Sequence, residues 1–105
     1  MNDNVEVTHN AEKRRYELRV EGELASIAEY ASNERVLVFD HTETSGNFRG
    51  RGLARRLVET ALDDVRKRDL KVVPSCWFVA GFIQDHPEYQ DLVAHLAQKE
   101  EGPGL

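Results

Sequence analysis

The chain has 105 residues, which suits one small domain with a single hydrophobic core. Its 14 Lys and Arg residues against 19 Asp and Glu give a formal net charge of −5, which disfavours general nucleic-acid binding. The one cysteine, Cys76, excludes an internal disulfide, and the N-terminal sequence lacks an apolar run that would act as a signal peptide or membrane span. We therefore expect one cytoplasmic domain over residues 1–105, with frayed ends at about 1–4 and 100–105.

Three antiparallel strands are predicted in the N-terminal third of the chain. Residues 5–9 form the first, and the alternation of Tyr16, Leu18 and Val20 with charged residues indicates the second. Glu21-Gly22 is typical of a hairpin turn into a third strand over residues 24–31. Simple alternation along this third strand places Leu24, Ser26, Ala28 and Tyr30 on one face, and Ala25 and Ile27 on the other.

The middle of the chain predicts a parallel βαβ unit. Residues 36–40 are a continuous apolar run of the kind found in a central strand, the apolar stripe over 53–68 predicts a helix, and residues 70–73 form the returning strand. Two further helices, over 77–84 and 88–97, are predicted on either side of His86-Pro87. The fold class is therefore α/β, with a mixed sheet, antiparallel N-terminal strands, a central parallel βαβ unit and C-terminal helices.

The C-terminal helices are expected to bury aromatic and aliphatic side chains. Their spacing indicates core residues, and His86 is expected to cap or pack between the two helices. The predicted buried side chains are Trp77, Phe78, Phe82, Ile83, Tyr89, Leu92, Val93 and Leu96.

A turn rich in Gly and Arg joins the central strand to the helix. Gly50 and Gly52 leave the backbone bare just before a helix start, where unpaired N–H groups and the helix dipole attract phosphate. No Lys-Ser or Lys-Thr pair follows the glycines, so a nucleoside triphosphate site is not indicated, and the third glycine of a dinucleotide site is missing. The alternative is that the glycines only cap the helix and the arginines form a solvated face.

Four blocks along the chain, HTE (41–43), RGRGLA (49–54), VVPSC (72–76) and HPEY (86–89), resemble the very short branch of the GCN5-related N-acetyltransferase (GNAT) superfamily. The resemblance implies that acetyl-CoA is the co-substrate, that the backbone of 49–54 cradles its pyrophosphate, and that 41–44 flank its pantetheine arm. The implied cofactor-binding residues are His41, Thr42, Glu43, Thr44, Asn47, Arg49, Gly50, Arg51, Gly52, Leu53, Ala54 and Arg55.

The sequence departs from the pattern of this branch in the loop after the central strand and after Cys76. Residues 44–47 replace a proline-containing run, which predicts a more mobile loop. Asn47 stands where the broader superfamily has Arg or Gln, and Trp77 follows Cys76 where relatives often have Pro. These changes are expected to alter one cofactor contact and the acceptor side of the site.

The candidate catalytic residues are His41, Cys76 and Glu43. A histidine titrates near neutral pH and suits a general base or acid, although His41 is equally well read as a structural hydrogen-bonding residue. Cys76 ends the parallel strand, where such sheets place ligands, and is a candidate proton relay or acyl carrier; the alternative is a small buried hydrophobe. Glu43 is a candidate to orient His41 or the amine, or a plain exposed carboxylate. No metal is expected, because the histidines and Cys76 lack paired ligand spacing.

The function indicated by these residues and the resemblance is direct acetyl transfer from acetyl-CoA to an amine. A CoA- or acyl-CoA-binding module without turnover is the alternative, and RNA binding through the Arg-Gly pairs is disfavoured by the acidic charge. The acceptor is a small amine, a polyamine, a lysine or a protein N-terminus. Because so small a domain has little surface for an acceptor pocket, a partner protein or a second copy of the chain is expected to complete it.

Overall fold

The computed structural model describes residues 4–94, which form one five-stranded sheet with helices on one of its faces. The strands are β1 (Val5–Asn10), β2 (Arg15–Val20), β3 (Glu23–Asn33), β4 (Val36–Thr44) and β5 (Lys71–Pro74). The α-helices are α1 (Leu53–Lys67) and α2 (Trp77–Asp85), and short 3₁₀ turns span Gly46–Phe48 and Pro87–Leu92.

The sheet follows the order β1-β2-β3-β4-β5. Neighbouring strands pair antiparallel from β1 to β4, and β4 pairs parallel with β5. Because α1 lies between these two parallel strands in the sequence, it is the crossover of a βαβ unit. The predicted mixed sheet and fold class are confirmed.

A bulge in β3 overturns the predicted faces of that strand. Leu18 pairs with Ser26 but Arg19 pairs with Leu24, so Ala25 is an extra residue on β3. The extra residue shifts the alternation by one position. Ala25 is therefore 2% exposed and Leu24 is 37% exposed, and the prediction that Leu24 shares the face of Ser26 was wrong.

The core lies between the sheet and the two helices. The buried stripe of α1 includes Leu57, Ala61 and Val65, and it packs on strand residues such as Leu18 and Phe39. Side chains from β4, α1 and α2 meet at the centre of this face, so both helices cover the same side of the sheet. These side chains are Phe39, Val58, Ala61, Leu62 and Val79.

The C-terminal part departs from the sequence prediction. Residues 87–92 form a 3₁₀ turn rather than the start of an α-helix, and Val93 makes a parallel bridge with Val72. Tertiary contacts to α1 hold this path: Arg66 pairs with Asp91 at 2.8 Å. The rest of the helix predicted over 88–97, including Leu96, and the frayed end at 100–105 lie outside the described residues.

Trp77 also contradicts its prediction as a core residue. It is 82% exposed, whereas its neighbour Val79 is 1% exposed and faces the sheet. Phe82 and Tyr89 are each 7% exposed, as predicted, and Phe78 is only partly buried. The helix start directs Trp77 outward because Val79, two positions later, occupies the inward side.

The other face of the sheet carries a buried carboxylate, Glu17, which is 4% exposed. Arg15 Nε lies 2.7 Å from one carboxylate oxygen, and Arg19 Nη1 lies 2.8 Å from the other. Asn10 donates a further hydrogen bond of 3.1 Å. Burial raises the pKa of this carboxyl, but the hydrogen bonds from Arg19, Arg15 and Asn10 lower it by more, to about 2.

We predict that Glu17→Gln lowers the free energy of unfolding by about 1–2 kcal/mol at pH 7. Because the folded pKa lies below the ordinary value of 4.5, the stability from this carboxylate is full above that pH and is lost as the pH falls toward 2. Urea unfolding of both proteins between pH 2 and pH 7 should therefore show curves that converge in acid. Glu6→Gln, at an exposed position on β1, is the control and should leave the curve unchanged. Parallel curves for Glu17→Gln would contradict the assignment.

Candidate active site

The turn before α1 exposes bare backbone at a helix start. Gly50 and Gly52 have φ values of +80° and +73°, a conformation that side chains other than glycine rarely adopt. Gly52 is the N-cap of α1, and its carbonyl accepts the first helical bond, from Arg56 N–H at 3.3 Å. A Cβ at Gly50 or Gly52 would meet no atom within 4 Å, so both positions face open space. The unpaired amides of the first helical turn thus open onto a surface that an anion can reach.

The arginines of the turn have structural roles that the sequence did not show. Arg49 Nε donates to the carbonyl of Thr44 at 3.2 Å and ties the turn to the end of β4. The Arg51 guanidinium lies 5.5 Å from the ring centre of Phe48, which is buried and anchors the turn. Asn47 is exposed in the same 3₁₀ turn. Both arginines are therefore engaged within the protein and help to hold the shape of the turn.

Strands β4 and β5 part after a few residues. Their parallel register ends at Phe39 and Pro74, and Cys76 N–H then donates to the Phe39 carbonyl at 2.8 Å. Strand β4 nevertheless continues to Thr44, because residues 41–44 remain paired with β3. Within the described chain no strand pairs with the outer edge of β4 over residues 40–44. This edge is available to hydrogen-bond an extended ligand with amide groups.

A second bulge decides which way the end of β4 presents its side chains. Tyr30 pairs with Phe39 and Glu29 pairs with His41, so Asp40 is an extra residue on β4. After the bulge, Thr42 lies on the helix-bearing face, and His41 and Glu43 lie on the opposite face. The sequence-predicted catalytic residues are therefore divided between the two sides of one strand.

On the side away from the helices, His41 and Glu43 form a pair. The His41 Nε2 atom lies 3.2 Å from Glu43 Oε1, and the two side chains are 51% and 64% exposed. Glu29 stands opposite His41 on β3, and Ile27 stands opposite Glu43. The predicted orienting role of Glu43 has this contact in its support, and both groups are open to an amine arriving from solvent.

On the helix side, Cys76 faces Thr42. The Cys76 Sγ atom lies 3.6 Å from Thr42 Oγ1, and Cys76 is the N-cap of α2. Burial raises the pKa of the thiol, but the backbone amides of Val79 and Phe78 and the Thr42 hydroxyl lower it by more. The net pKa is below the ordinary 9.0, a direction that suits a group able to hold or give up a proton.

Sequence reasoning missed Thr42 as the partner of Cys76. The sequence carried no signal for it, because simple alternation from Phe39 places His41 on that side of β4, and only the extra residue at Asp40 puts Thr42 there. His86 stacks on Phe82 with ring centres 4.3 Å apart, which confirms its predicted packing role, but its contact with Arg55 at 3.4 Å was not foreseen.

Two further findings concern the described residues alone. No group of three or more His, Cys, Asp or Glu side chains in residues 4–94 is arranged to hold a metal ion. In the same range, no helix has the length and apolar character needed to cross a membrane.

A family model described as GCN5-related N-acetyl-transferase matches residues 15–92. Protein NATD1 of Gallus gallus is 31% identical over 86 residues, covering 79% of this chain and 77% of that protein, and Protein NATD1 of Danio rerio is 31% identical over 94 residues, covering 85% and 84%.

Solved structures share the fold at lower sequence identity. The solution structure of a GCN5-like protein from Staphylococcus aureus superposes with a TM-score of 0.66 at 22% identity, covering 87% of this chain and 89% of that one. The ribosomal-protein-S18-alanine N-acetyltransferase of Escherichia coli gives a TM-score of 0.52 at 21% identity, covering 57% and 41%.

We predict that the rate of Cys76 alkylation by iodoacetamide rises with pH to a midpoint below 9.0, since the thiolate is the reactive form. Thr42→Val removes one of the groups that lower the pKa and should raise that midpoint. The exposed Thr60→Val on α1 is the control and should leave it unchanged. Because Cys76 is the single cysteine, mass spectrometry of the intact chain measures the rate directly. A midpoint at or above 9.0, or no effect of Thr42→Val, would refute the assignment.

Proposed function

Because the chain belongs to the GCN5-related N-acetyltransferase family, we propose that it is an acetyl-CoA-dependent enzyme that transfers the acetyl group directly to a primary amine. The observation that most supports this proposal is the place where β4 and β5 part. There the edge of residues 40–44 has no strand partner in the described chain, Cys76 lies beside Thr42, and the glycine turn follows β4 closely in the sequence.

The residues present fit such a co-substrate. The amides at the start of α1 are suited to the pyrophosphate, because Gly50 and Gly52 keep the approach open and the helix dipole favours negative charge. The free edge of β4 is suited to the amide groups of a pantetheine arm, which match the spacing of a strand. In this proposal residues 41–44, 47 and 49–55 form the cofactor-binding surface.

The chemistry requires one proton to leave the amine and one to reach the leaving thiolate. Acetyl-CoA supplies an activated acyl carbon. His41, held by Glu43, accepts the proton that the amine loses as its nitrogen bonds to that carbon. Cys76 donates a proton to the sulfur released when the carbon–sulfur bond breaks, and Thr42 positions the thiol. His41 and Cys76 stand on opposite sides of β4, so each serves one of the two reactants.

The second candidate is a CoA- or acyl-CoA-binding module. The exposure of His41 and Glu43 favours this candidate, because water has free access to both side chains and catalytic sites usually exclude it. In the enzyme proposal, a partner protein or a second copy of the chain covers this side and completes the acceptor pocket.

Acetyl-CoA is expected to raise the melting temperature of the chain. A ligand at about 100 times its Kd adds roughly 2.7 kcal/mol to stability, which amounts to several degrees in so small a domain. Gly50→Asp places a carboxylate in the open space before the helix and should abolish most of the rise. Gly50→Asn is the matched control, since it imposes the same backbone strain without the charge and should keep more of the rise. No rise in the wild-type chain at millimolar ligand would overturn both candidate functions.

Turnover separates the two candidates. His41→Asn should lower kcat for amine acetylation by about 100-fold while the rise in melting temperature with acetyl-CoA persists, because general base catalysis is lost and cofactor binding is not. His9→Asn, on β1 with its ring stacked on Tyr16, is the control and should keep kcat. An acetyl group found on Cys76 by mass spectrometry would contradict direct transfer. Binding without turnover across a panel of primary amines, alone or with candidate partners, would favour the binding module.

A further inference from the structure

A cavity of about 310 Å³ opens beside the His41–Glu43 pair, on the face of the sheet away from the helices. It lies where the first residues of β3 run alongside the end of β4, and Glu43 forms part of its wall. The Glu43 carboxylate is 3.2 Å from His41 Nε2, so the cavity begins one hydrogen bond away from the proposed base. A molecule bound in this cavity can present an amine to His41.

One wall of the cavity is apolar. Leu24 and Ile27 lie on the same face of β3, because the extra residue Ala25 between them shifts the alternation by one position. Leu24 is exposed, Ile27 is half-buried, and neither side chain belongs to the core. Two accessible apolar side chains in one concave site favour a ligand with an aliphatic portion.

Two groups of opposite charge also line the cavity. The Arg49 Nε atom donates to the Thr44 carbonyl at 3.2 Å, and this hydrogen bond fixes the guanidinium at the wall. Glu43 directly precedes Thr44, and successive residues of a strand are about 3.3 Å apart. Within residues 4–94, Glu43 and Arg49 are not joined to each other by an ion pair. An unpaired guanidinium and carboxylate in one small cavity suit a ligand that carries both a carboxylate and an ammonium group.

Hydrogen bonds between β3 and the end of β4 hold these walls in place. Ser45 N–H donates to the Ala25 carbonyl at 2.8 Å, which ties the loop after β4 to the bulge of β3. The hydroxyl of the buried Ser26 donates to the Glu43 carbonyl at 3.1 Å. The apolar wall and the two charged groups are thus carried on paired backbone, as in a pre-formed ligand site.

We propose that this cavity is the acceptor site and that the acceptor is a free aliphatic α-amino acid, an inference that rests on the proposed function. The Arg49 guanidinium binds the α-carboxylate, and Glu43 attracts the ammonium group. Leu24 and Ile27 pack on the aliphatic side chain of the acceptor. The volume of about 310 Å³ lies at the lower end for ligand pockets, which suits so small an acceptor.

This placement defines the reaction of the acceptor. The α-ammonium group loses one proton to solvent, and the neutral nitrogen then bonds to the acyl carbon of acetyl-CoA. His41 accepts the second proton, the carbon–sulfur bond breaks, and Cys76 protonates the sulfur that leaves. The products are the N-acetyl amino acid and CoA. An amine without a carboxylate lacks the Arg49 contact, so the site selects amino acids over simple amines.

The first test compares L-leucine with L-leucinamide, which has the same side chain and amine but no carboxylate. Arg49→Gln should lower the ratio of kcat/KM for leucine to kcat/KM for leucinamide about tenfold, because leucine alone loses a charge-assisted contact. Comparing this ratio between variants removes the difference in basicity between the two amines. Arg49→Lys keeps the charge and should lower the ratio less. Arg14→Gln removes a charge at an exposed turn residue and is the control, which should keep the ratio. An unchanged ratio in Arg49→Gln would overturn the proposal.

The second test concerns the apolar wall. Leu24→Ala should lower the ratio of kcat/KM for leucine to kcat/KM for glycine about fivefold, because glycine has no side chain to pack there. The fold should persist, since Leu24 lies outside the core. Val36→Ala shortens a half-buried side chain of β4 outside the cavity and is the control, which should keep the ratio. An unchanged ratio in Leu24→Ala would overturn the assignment of an aliphatic acceptor.

Calorimetry distinguishes failure of this inference from failure of the proposed function. Leucine titrated into the chain with CoA present should bind to the wild type about ten times more tightly than to Arg49→Gln, and acetyl-CoA should convert it to N-acetyl-leucine. Acetylation of isoamylamine without binding of leucine would overturn the inference and leave the proposed function intact. Binding of leucine that depends on Arg49, without turnover, would support the site and overturn the proposed catalysis. Neither binding of leucine nor turnover of any amine would overturn both.

Discussion

The parting of β4 from β5 is the constraint on which the candidate site depends. Two parallel strands that stayed paired along their whole length would leave no free edge between them. Pro74 has no N–H group to continue the ladder, and the extra residue at Asp40 bends β4 away at the same level. The hydrogen bond from Cys76 N–H to the Phe39 carbonyl is the last one between the two segments that the paired strands lead into, and beyond it β4 pairs only with β3. Two local backbone features thus leave the edge of residues 40–44 without a strand partner in the described chain.

The same bulge determines on which face of the sheet each side chain at the end of β4 lies. Without the extra residue, His41 would continue the alternation of Leu37 and Phe39 and would point toward the helices. With it, Thr42 takes that side and meets Cys76, while His41 and Glu43 face away. In the function we propose, His41 is the base on one side and Cys76 the acid on the other, which suits a transfer between two reactants that approach from opposite directions. One inserted residue in a strand therefore has a chemical consequence as well as a geometric one.

Much of the architecture could be predicted because each element carries its own periodic signal. The apolar stripe of α1 and the glycine turn before it could both be predicted from the sequence. The positive φ values of Gly50 and Gly52 follow from the turn that these glycines form. The bulges at Ala25 and Asp40 were not, because a bulge has no pattern in the strand that contains it and shows only in the partner's register. The 3₁₀ path of residues 87–92 was missed for another reason: Arg66 and Asp63 on α1 fix it through Asp91 and Tyr89, and local propensity does not contain those contacts. The outward position of Trp77 was missed for the same reason. The packing of Val79 against the sheet determines which side of α2 faces inward, and local sequence does not show that packing.

Among the described residues, the face of the sheet away from α1 and α2 is covered by side chains of its own strands. In the described chain both helices lie on the other face, so the side chains of β1 to β4 must themselves shield the apolar residues between them. Ile27 and Val38 remain only half-buried there. Glu17 lies opposite Ile27 and is paired with Arg15 and Arg19. An ion cluster is a less stabilising cover than a helix would be, but it leaves His41 and Glu43 accessible. In the function we propose, the exposure of His41 and Glu43 lets an amine reach them, and a second molecule completes the acceptor pocket.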